Sequence, residues 1–574
     1  MKRIFGQEKD RAFIAILAVA LLLGIFLRSY LLSDQVLIDD EWHGFFYAIG
    51  KSPFFLLTHF SVPGATCIPL NFYTWLLGHT VGWSETLLRL PSLICGVLCV
   101  LLCPLLAQKI IGTQRAAWLA LLLAISPLLI FYSRICRPYS AFAFFGFAAV
   151  LLAALWMQTG RLRYGISFAL AGVLAVYFHL YAVIIVGAPV FTAIALHLYS
   201  RFVKKSKEVA GPPLRHWLAV AGGMAVAGAI LVLPALIASM RSTFFNIAMK
   251  GSLEWKSLPH VLALFSGTGQ PALVAVFWLL LVVGAMDLFR RNAWFGATLV
   301  SLYPLHALAL VLSRPDSAQS AIVLTRYSIP MVPVSLLMAA CGLQWIFEFL
   351  ASRMSLRPAL QTVLATGYIG AIAFAGPLPQ TYIAPNNFTS HGAFQHRYGL
   401  IDWTRSFHSD LTPADFTVNL LIRADEISPF YIELAKSPGS RPIVEYPMMV
   451  GDHFNPLYYY QHFHRRPVIV GYATDVVIGE GLSAGGVYGN TYVDQVLTLV
   501  PDKSRLKFRN FISMDDLAAM RARRVEFIII HKSYESELSE ITLPLPDVDR
   551  LRNEYAMRIG RPFYEDAHIT VFRL

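Results

Sequence analysis

Charge is what this chain is short of: 14% of its 574 residues are Asp, Glu, Lys or Arg, against about 25% in an ordinary soluble domain. At 56% apolar residues and a mean hydropathy of +0.56, it cannot clothe a water-facing surface, which excludes a cytosolic enzyme and a disordered chain. Cysteine is scarce too. All six cysteines precede residue 377, so the C-terminal part is no disulfide scaffold. Acidic residues are the third shortage, and a local one: residues 1–376 hold 12 Asp and Glu against 27 Lys and Arg, while residues 377–574 hold 23 against 20. The net charge of +12 therefore belongs wholly to the first part. There it reads as membrane topology and site chemistry, and nucleic acid is not indicated as a partner. Internal repeats and low-complexity tracts are absent.

What is present is a series of apolar stretches of roughly 17 to 25 residues, each long enough to cross a bilayer. Eleven such spans are expected, beginning near Ala12, Thr86, Ala116, Tyr139, Tyr164, Tyr181, Trp217, Pro271, Ala293, Tyr327 and Pro358. The first follows Lys2, Arg3, Lys9 and Arg11 and has no small-residue cleavage site after its apolar core, so it reads as an uncleaved anchor with a cytoplasmic N-terminus. Alternating sides from there puts Lys109 and Arg115, Arg161 and Arg163, the group Arg201 to Arg215, Arg290 and Arg291, and Arg353 and Arg357 on the cytoplasmic side, as the positive-inside rule asks. An odd number of spans then leaves the C-terminal region outside. The outer loop 33–85 contains the stretch His59 to His79, whose aromatic and aliphatic residues suit amphipathic helices in the headgroup layer.

Past Gly376 the texture changes. Pro377, Pro379, Pro385 and Gly392 mark a linker, and short β-rich runs follow at Phe416 to Ile422, Ile443 to Tyr446, Val468 to Val470, Val525 to Ile530 and Ile569 to Phe572, with a helical candidate at Ser513 to Arg523. The expected fold is thus an α-helical polytopic membrane domain over 1–376 and a soluble α/β domain over 377–574. Cys95, Cys99 and Cys103 stand at helical spacing and read as small residues packing between helices, while Cys67 and Cys136 both fall near the outer face and are candidates for a pair. His453, His462 and His464 lack cysteine partners and regular spacing, so they do not make a metal site; Tyr458, Tyr459 and Tyr460 read as core, and Asn387-Phe388-Thr389 is a glycosylation sequon by spelling only.

The chemistry lies in charges left on the outer side. Cations near outer helix ends or loops are Arg28, Lys51, Arg89, Arg134, Arg137, Arg241, Lys250, Lys256, Arg314 and Arg326. Arg134 and Arg137 are three residues apart, just before Pro138 and the start of a helix, a setting that suits a phosphate through two guanidinium forks and a helix N-terminus. The plainer alternative is snorkelling to lipid headgroups. The opposite charge is concentrated at Asp39-Asp40-Glu41, followed by Trp42 and His43, directly after the first span. Three adjacent carboxylates repel one another, and one held beside a hydroxyl can serve as general base while another orients the acceptor or holds a cation. A solvated loop or a helix cap is the structural alternative, and the pattern does not say which of the three does the work.

These residues resemble the membrane glycosyltransferases of the protein O-mannosyltransferase and aminoarabinose transferase type, which have the GT-C fold. Asp40-Glu41 resembles the family's acidic pair in the first outer loop, and Pro69-Leu70 with Ser84-Glu85-Thr86-Leu87-Leu88-Arg89-Leu90-Pro91-Ser92 its signature leading into the second span. Arg134-Ile135-Cys136-Arg137-Pro138-Tyr139 is similar to the motif opening the fourth span, His179-Leu180-Tyr181 to a His-Tyr position at an outer helix mouth, and Arg326-Tyr327-Ser328-Ile329-Pro330 to a late Arg-Tyr-x-x-Pro. Arg466 to Tyr472 resembles a stretch of bacterial members. The sequence departs at Thr66-Cys67-Ile68, where many relatives carry a basic or His-containing segment, and this removes support for a donor or metal contact there.

The resemblance implies an integral plasma-membrane enzyme, in a bacterium an inner-membrane one, that moves one sugar from a polyprenyl-phosphate donor to an acceptor hydroxyl on the extracytoplasmic side with inversion. Asp40, Glu41 and Asp39 are then the catalytic candidates, with Asp40 favoured as base because it precedes Glu41 in the matching pair. Arg134, Arg137, Arg326 and Arg89 are the donor-phosphate candidates, and His43, Tyr139, His179, Tyr181 and Tyr327 the substrate-binding ones. Membrane lipid is the further partner expected. No cofactor is assigned and a divalent metal is left open. Rival readings are a membrane ligase for a diphosphate-linked glycan, which would need a larger cationic surface, and a polyprenyl-lipid transporter or flippase. A transporter would place charges deep in its spans, whereas here they cluster at span ends.

Overall fold

The apolar runs become helices whose ends are set by caps and prolines. A computed structural model of the chain describes residues 2–30, 32, 41, 44, 47–48, 51–60, 67–203, 211–239, 257–314, 321–354, 358–382, 420–421, 428–437, 439, 441–446, 464, 466, 514–522, 524–532, 535–536 and 548–574. In the first part these form α1 (Lys2–Ser29), α2 (Pro53–Thr58), α3 (Ile68–Thr80), α4 (Glu85–Ile111), α5 (Thr113–Ile125), α6 (Pro127–Ser133), α7 (Tyr139–Thr159), α8 (Leu162–Phe178), α9 (Ala182–Phe202), α10 (Leu214–Ala238), α11 (Ser257–Ser266), α12 (Pro271–Arg291), α13 (Ala293–Ser313), α14 (Ala321–Tyr327), α15 (Met331–Met354), α16 (Pro358–Ala375) and α17 (Leu378–Tyr382). Side-chain caps start several of them: the Ser84 hydroxyl accepts from the Leu87 amide at the head of α4, and the Asn292 carboxamide from the Phe295 amide at the head of α13.

Eight of the described helices are long and apolar enough to cross a membrane, and nine if α5 and α6, bent by 57° at Ser126, count as one span. The expected eleven are therefore not all met. Leu162–Phe178 and Ala359–Ala375 are apolar but shorter. The span expected from Tyr327 begins instead at Met331, because Tyr327 closes α14 and Pro330 keeps Ile329 from continuing it. Large apolar side chains stand exposed along these helices, Leu22 at 69%, Ile230 at 69% and Val363 at 65%, a surface that suits lipid and not water. Cys95, Cys99 and Cys103 are buried within the helix bundle, and all six cysteines are free, so Cys67 and Cys136 are not paired.

Two contrasting devices hold the bundle. At one end, Arg115 of α5 reaches Asp287 of α12 (2.9 Å) and Glu348 of α15 (2.8 Å), and Arg291 bonds the same two carboxylates at 2.8 and 3.1 Å. Along the same pair of helices, Gly284 and Gly342 let the backbones touch: a Cβ on Gly284 would stand 1.8 Å from the Met338 carbonyl oxygen, and one on Gly342 1.9 Å from that of Leu280.

The other end, here called the upper end, is built around breaks. Pro127 has no N–H to offer the Leu123 carbonyl four residues back. Arg28, fully buried at the end of α1, fills the gap by donating to the carbonyls of Leu123 (3.0 Å), Ala124 (3.0 Å) and Gly24 (3.2 Å). Arg134, just after α6, in turn donates to the last carbonyls of α1, those of Arg28 (2.9 Å) and Tyr30 (2.7 Å), and the Tyr382 hydroxyl of α17 donates to Leu27. The chain therefore leaves the bundle toward its C-terminal part at the upper end.

In the C-terminal part, β1 (Leu420–Leu421), α18 (Pro429–Lys436), β2 (Ile443–Tyr446), α19 (Met514–Ala522), β3 (Phe527–His531), β4 (Glu535–Ser536), α20 (Val548–Ile559), β5 (Tyr564–Glu565) and β6 (Ile569–Arg573) are described. A mixed four-stranded sheet has the order β2-β3-β6-β5, with β2 and β3 parallel and the other pairs antiparallel; β1 and β4 pair separately. Val444, Ile528, Ile530 and Phe572 meet Leu517, Met520 and Tyr555 in its core. The strands expected at 443–446, 525–530 and 569–572 and the helix at 513–523 have close counterparts here, whereas Val468 to Val470, the sequon at Asn387 and the tyrosines 458–460 lie outside the described residues.

Glu445 is fully buried in β2. It accepts from the Tyr431 hydroxyl (2.7 Å) and from His531 (2.7 Å), with His464 at 3.6 Å. Burial pushes its carboxyl up, but the hydrogen bond from His531 and the nearby His464 ring outweigh this and hold it down to about 2.

Two expectations follow from this packing. Gly284→Leu should drive α12 and α15 apart at the upper limit of the roughly 1–3 kcal/mol overpacking cost, read as a lowered melting temperature in detergent; an unchanged melt would show that the close approach is not maintained. Because the folded-state carboxyl of Glu445 lies below its ordinary value of 4.5, its contribution to stability is present above that pH and is lost as pH falls toward about 2. Protease resistance of the C-terminal part should decline over that window in the native chain and decline less in Glu445→Gln; equal pH profiles would contradict the assignment.

Candidate active site

Helix α4 brings Arg89 to the upper end one turn after its Ser84 cap. There the guanidinium grips Glu41 with two parallel bonds, Nε to Oε1 at 2.9 Å and Nη2 to Oε2 at 2.7 Å, with both side chains at 0% exposure. The Cys136 amide donates a third bond to Glu41 Oε1 at 2.7 Å. An ion pair so buried repays its desolvation only with good geometry and further hydrogen bonds, and both are present. These bonds tie Glu41 to α4 and to the turn between α6 and α7. Further stitches hold that turn: the Ser92 hydroxyl donates to the Arg137 carbonyl at 3.0 Å, and the Ser140 hydroxyl to the Ser92 carbonyl at 2.8 Å.

Beside the pair lies a small pocket whose lining includes Glu41, Cys67, Asn71, Thr74, Cys136 and Arg137. Arg137 is its cation, and its guanidinium stands 5.8 Å from the ring centre of Tyr139. From Tyr139 an aromatic cluster runs on at the upper end. His179 lies 5.9 Å from Tyr139 and stacks flat on Phe142 at 4.5 Å; Tyr327 stands 5.4 Å from Tyr181 and 6.2 Å from His179. Ser328, next in the chain, bonds His306 of α13 at 2.9 Å, and the Tyr181 hydroxyl bonds Ser313.

The residues singled out in the sequence thus fall into three groups. Glu41 and Arg137 share one pocket, with Arg89 behind Glu41; Tyr139, His179, Tyr181 and Tyr327 form the adjoining cluster, with half-buried Arg326 immediately before Tyr327. Arg134 lies at the same end, but its guanidinium is bonded to the carbonyls that close α1. Asp39, Asp40 and His43 lie outside the described residues, as do Arg241, Lys250 and Lys256. Among the described residues no group of three His, Cys, Asp or Glu side chains could hold a metal ion.

Sequence reasoning passed over Asn71 and Thr74, polar residues one turn apart in an apolar stretch, and His306, a lone histidine in an apolar span. The first two had a detectable signal in their spacing. Nothing in the sequence marked His306, whose partner Ser328 is supplied by the fold.

Residues 68–211, which include one wall of the pocket, Arg89 and the whole 134–139 turn, match the dolichyl-phosphate-mannose-protein mannosyltransferase family. None of the curated proteins matches the chain. Among solved structures, the aminoarabinose transferase ArnT from Cupriavidus metallidurans in the apo state is similar at 13% identity and a TM-score of 0.50, over 98% of this chain and 97% of that one. The same protein bound to undecaprenyl phosphate gives 12% and 0.48 over the same shares. The oligosaccharyltransferase of Archaeoglobus fulgidus in the apo form gives 14% and 0.43, over 90% of this chain and 69% of its own.

Glu41→Gln removes the charge that Arg89 faces and should cost about 3–5 kcal/mol, the penalty of an uncompensated buried ion. Arg89→Met in the same chain should recover part of it, and a double-mutant cycle on the melting of purified protein measures the coupling. Strictly additive losses would mean the pair is not formed.

Residues 68–211 thus carry the match to that mannosyltransferase family, and the chain as a whole shares the fold of the aminoarabinose transferase.

Proposed function

We propose that this protein is a membrane glycosyltransferase that moves a single sugar from a polyprenyl phosphate to an acceptor hydroxyl, on lipid, glycan or protein, at the extracytoplasmic face of the plasma membrane. The observation that carries the reading is the pocket in which Arg137 stands beside the anchored acidic segment, with its wall in the stretch that matches a family using dolichyl-phosphate-linked mannose. A polyprenyl tail needs lipid-level access, and a single phosphate needs a fixed cation at headgroup depth. Arg137 is the nearer candidate for that phosphate and Arg326 the second. Arg89 and Arg134 support them by holding the acidic segment and the turn in place.

In this reading Asp40, next to the immobilised Glu41, takes the proton of the acceptor hydroxyl as that oxygen attacks the anomeric carbon. The bond from that carbon to the phosphate oxygen breaks on the opposite face. Phosphate departs with one more negative charge than it had as an ester, so an arginine aimed at it stabilises the transition state more than the bound donor. One displacement inverts the anomeric centre. The basic connections at the other end of the bundle, including Arg290, Arg291 and Arg353, support a cytoplasmic placement for that end, with residues 377–574 forming an extracytoplasmic domain that helps admit the acceptor.

Transfer in liposomes with a panel of synthetic polyprenyl-phosphate sugars tests this. Asp40→Asn should lower turnover about 10²- to 10⁴-fold while donor binding is kept, and Arg137→Ala should lower it about 10²- to 10³-fold. Unchanged turnover in Asp40→Asn would move the base to Asp39, and a wild type inert toward every donor of the panel would sink the reading.

A further inference from the structure

Helix α3 buries two polar residues on one face. Its residues 70, 71 and 74, together with Cys67 at its N-cap, follow the i, i+3, i+4, i+7 spacing of one helix face, and all four line the pocket. Two of the four are polar and buried, Asn71 at 2% and Thr74 at 8% exposure, while Leu76 on another face is 41% exposed. A buried hydroxyl costs free energy unless it meets a hydrogen-bonding partner. The Thr74 backbone oxygen takes the indole N–H of Trp83 at 2.9 Å, but among the described residues its hydroxyl makes no hydrogen bond. Gly44 faces Asn71 without a side chain: a Cβ there would lie 3.6 Å from the carboxamide oxygen.

We infer that Asn71 and Thr74 form the wall that reads hydroxyl groups of the donor's sugar. The inference rests on the polyprenyl-phosphate reading above and adds the residues that select the sugar. Both side chains donate and accept, as sugar hydroxyls do, and neither carries the charge a phosphate wants. Arg137 is the cation of this pocket, so the phosphate belongs on its side. The sugar is bonded directly to that phosphate and must occupy the adjoining space, which the polar face of α3 bounds.

The test is equilibrium binding to the full-length protein of two probes, the bare polyprenyl phosphate and the glycosylated one that the transfer panel turns over. Thr74→Val, which keeps the shape, and Asn71→Leu should each weaken the glycosylated probe roughly 3- to 10-fold, the size of one neutral hydrogen bond. Neither should change the bare probe, and Thr74→Ser should retain native binding of both. Equal weakening of both probes would show that the residues only support the fold, and unchanged binding of the glycosylated probe would show that they do not touch the sugar; either overturns the inference. A wild type that binds neither probe would bring down the donor reading itself, a result distinguishable from those two because it precedes any substitution.

Discussion

Backbone carbonyls freed inside a bilayer have no water to turn to, and the upper end of this protein is organised by that constraint. The bend at Ser126 strands the carbonyls of Leu123 and Ala124, and Arg28 reaches across from α1 to take them. The end of α1 then strands its own carbonyls, which Arg134 and Tyr382 take. Each break is thus closed by a side chain from the segment next to it, so the end of α1, the α5–α6 bend and the turn 134–138 cannot move separately. Arginine suits this role because it keeps its charge under burial and offers five donors in a fixed fork.

A consequence bears on how the acidic triplet divides its work. Glu41 has two arginine bonds and one amide bond, which leaves its carboxylate little capacity to receive a proton from a substrate. It is better suited to holding its neighbours. In the proposed reaction the base is Asp40, the residue before Glu41 in the chain. Among the arginines, Arg89 bonds Glu41, Arg134 bonds the carbonyls at the end of α1, and Arg137 lines the pocket.

The membrane character, the order of the spans and the mixed sheet at 443–446, 527–531 and 569–573 were legible because they rest on apolar runs and local periodicity. Roles that depend on distant partners were not. Arg28 and Arg134 looked alike as outer cations beside a helix end, yet which carbonyls they meet depends on the Pro127 bend about a hundred residues from Arg28 along the chain and on the fold that brings the two together. Two of the expected spans, at Leu162–Phe178 and Ala359–Ala375, are apolar but shorter helices, and apolar composition alone does not fix where a helix ends. Asn71 and Thr74 were passed over because the apolar residues around them in 59–79 suggested helices lying in the headgroup layer, whereas the fold buries both.

The two ends of the bundle divide stability from chemistry. Around α12 and α15 the helices are unbroken, their backbones touch at Gly284 and Gly342, and four charged side chains close a network over them; such an end has one way to pack. At the upper end Arg28, Arg134 and Tyr382 close the breaks, and the turn that follows Arg134 supplies Cys136, Arg137 and Pro138 to the pocket. Irregular backbone in a membrane protein is tolerated only where it is buried in protein or lines a cavity, so the interruptions that would weaken a plain bundle are the places where hydrogen-bonding groups can be presented to a substrate. The regular end makes those interruptions affordable, and the pocket bounded by α3 and the 134–138 turn lies where they converge.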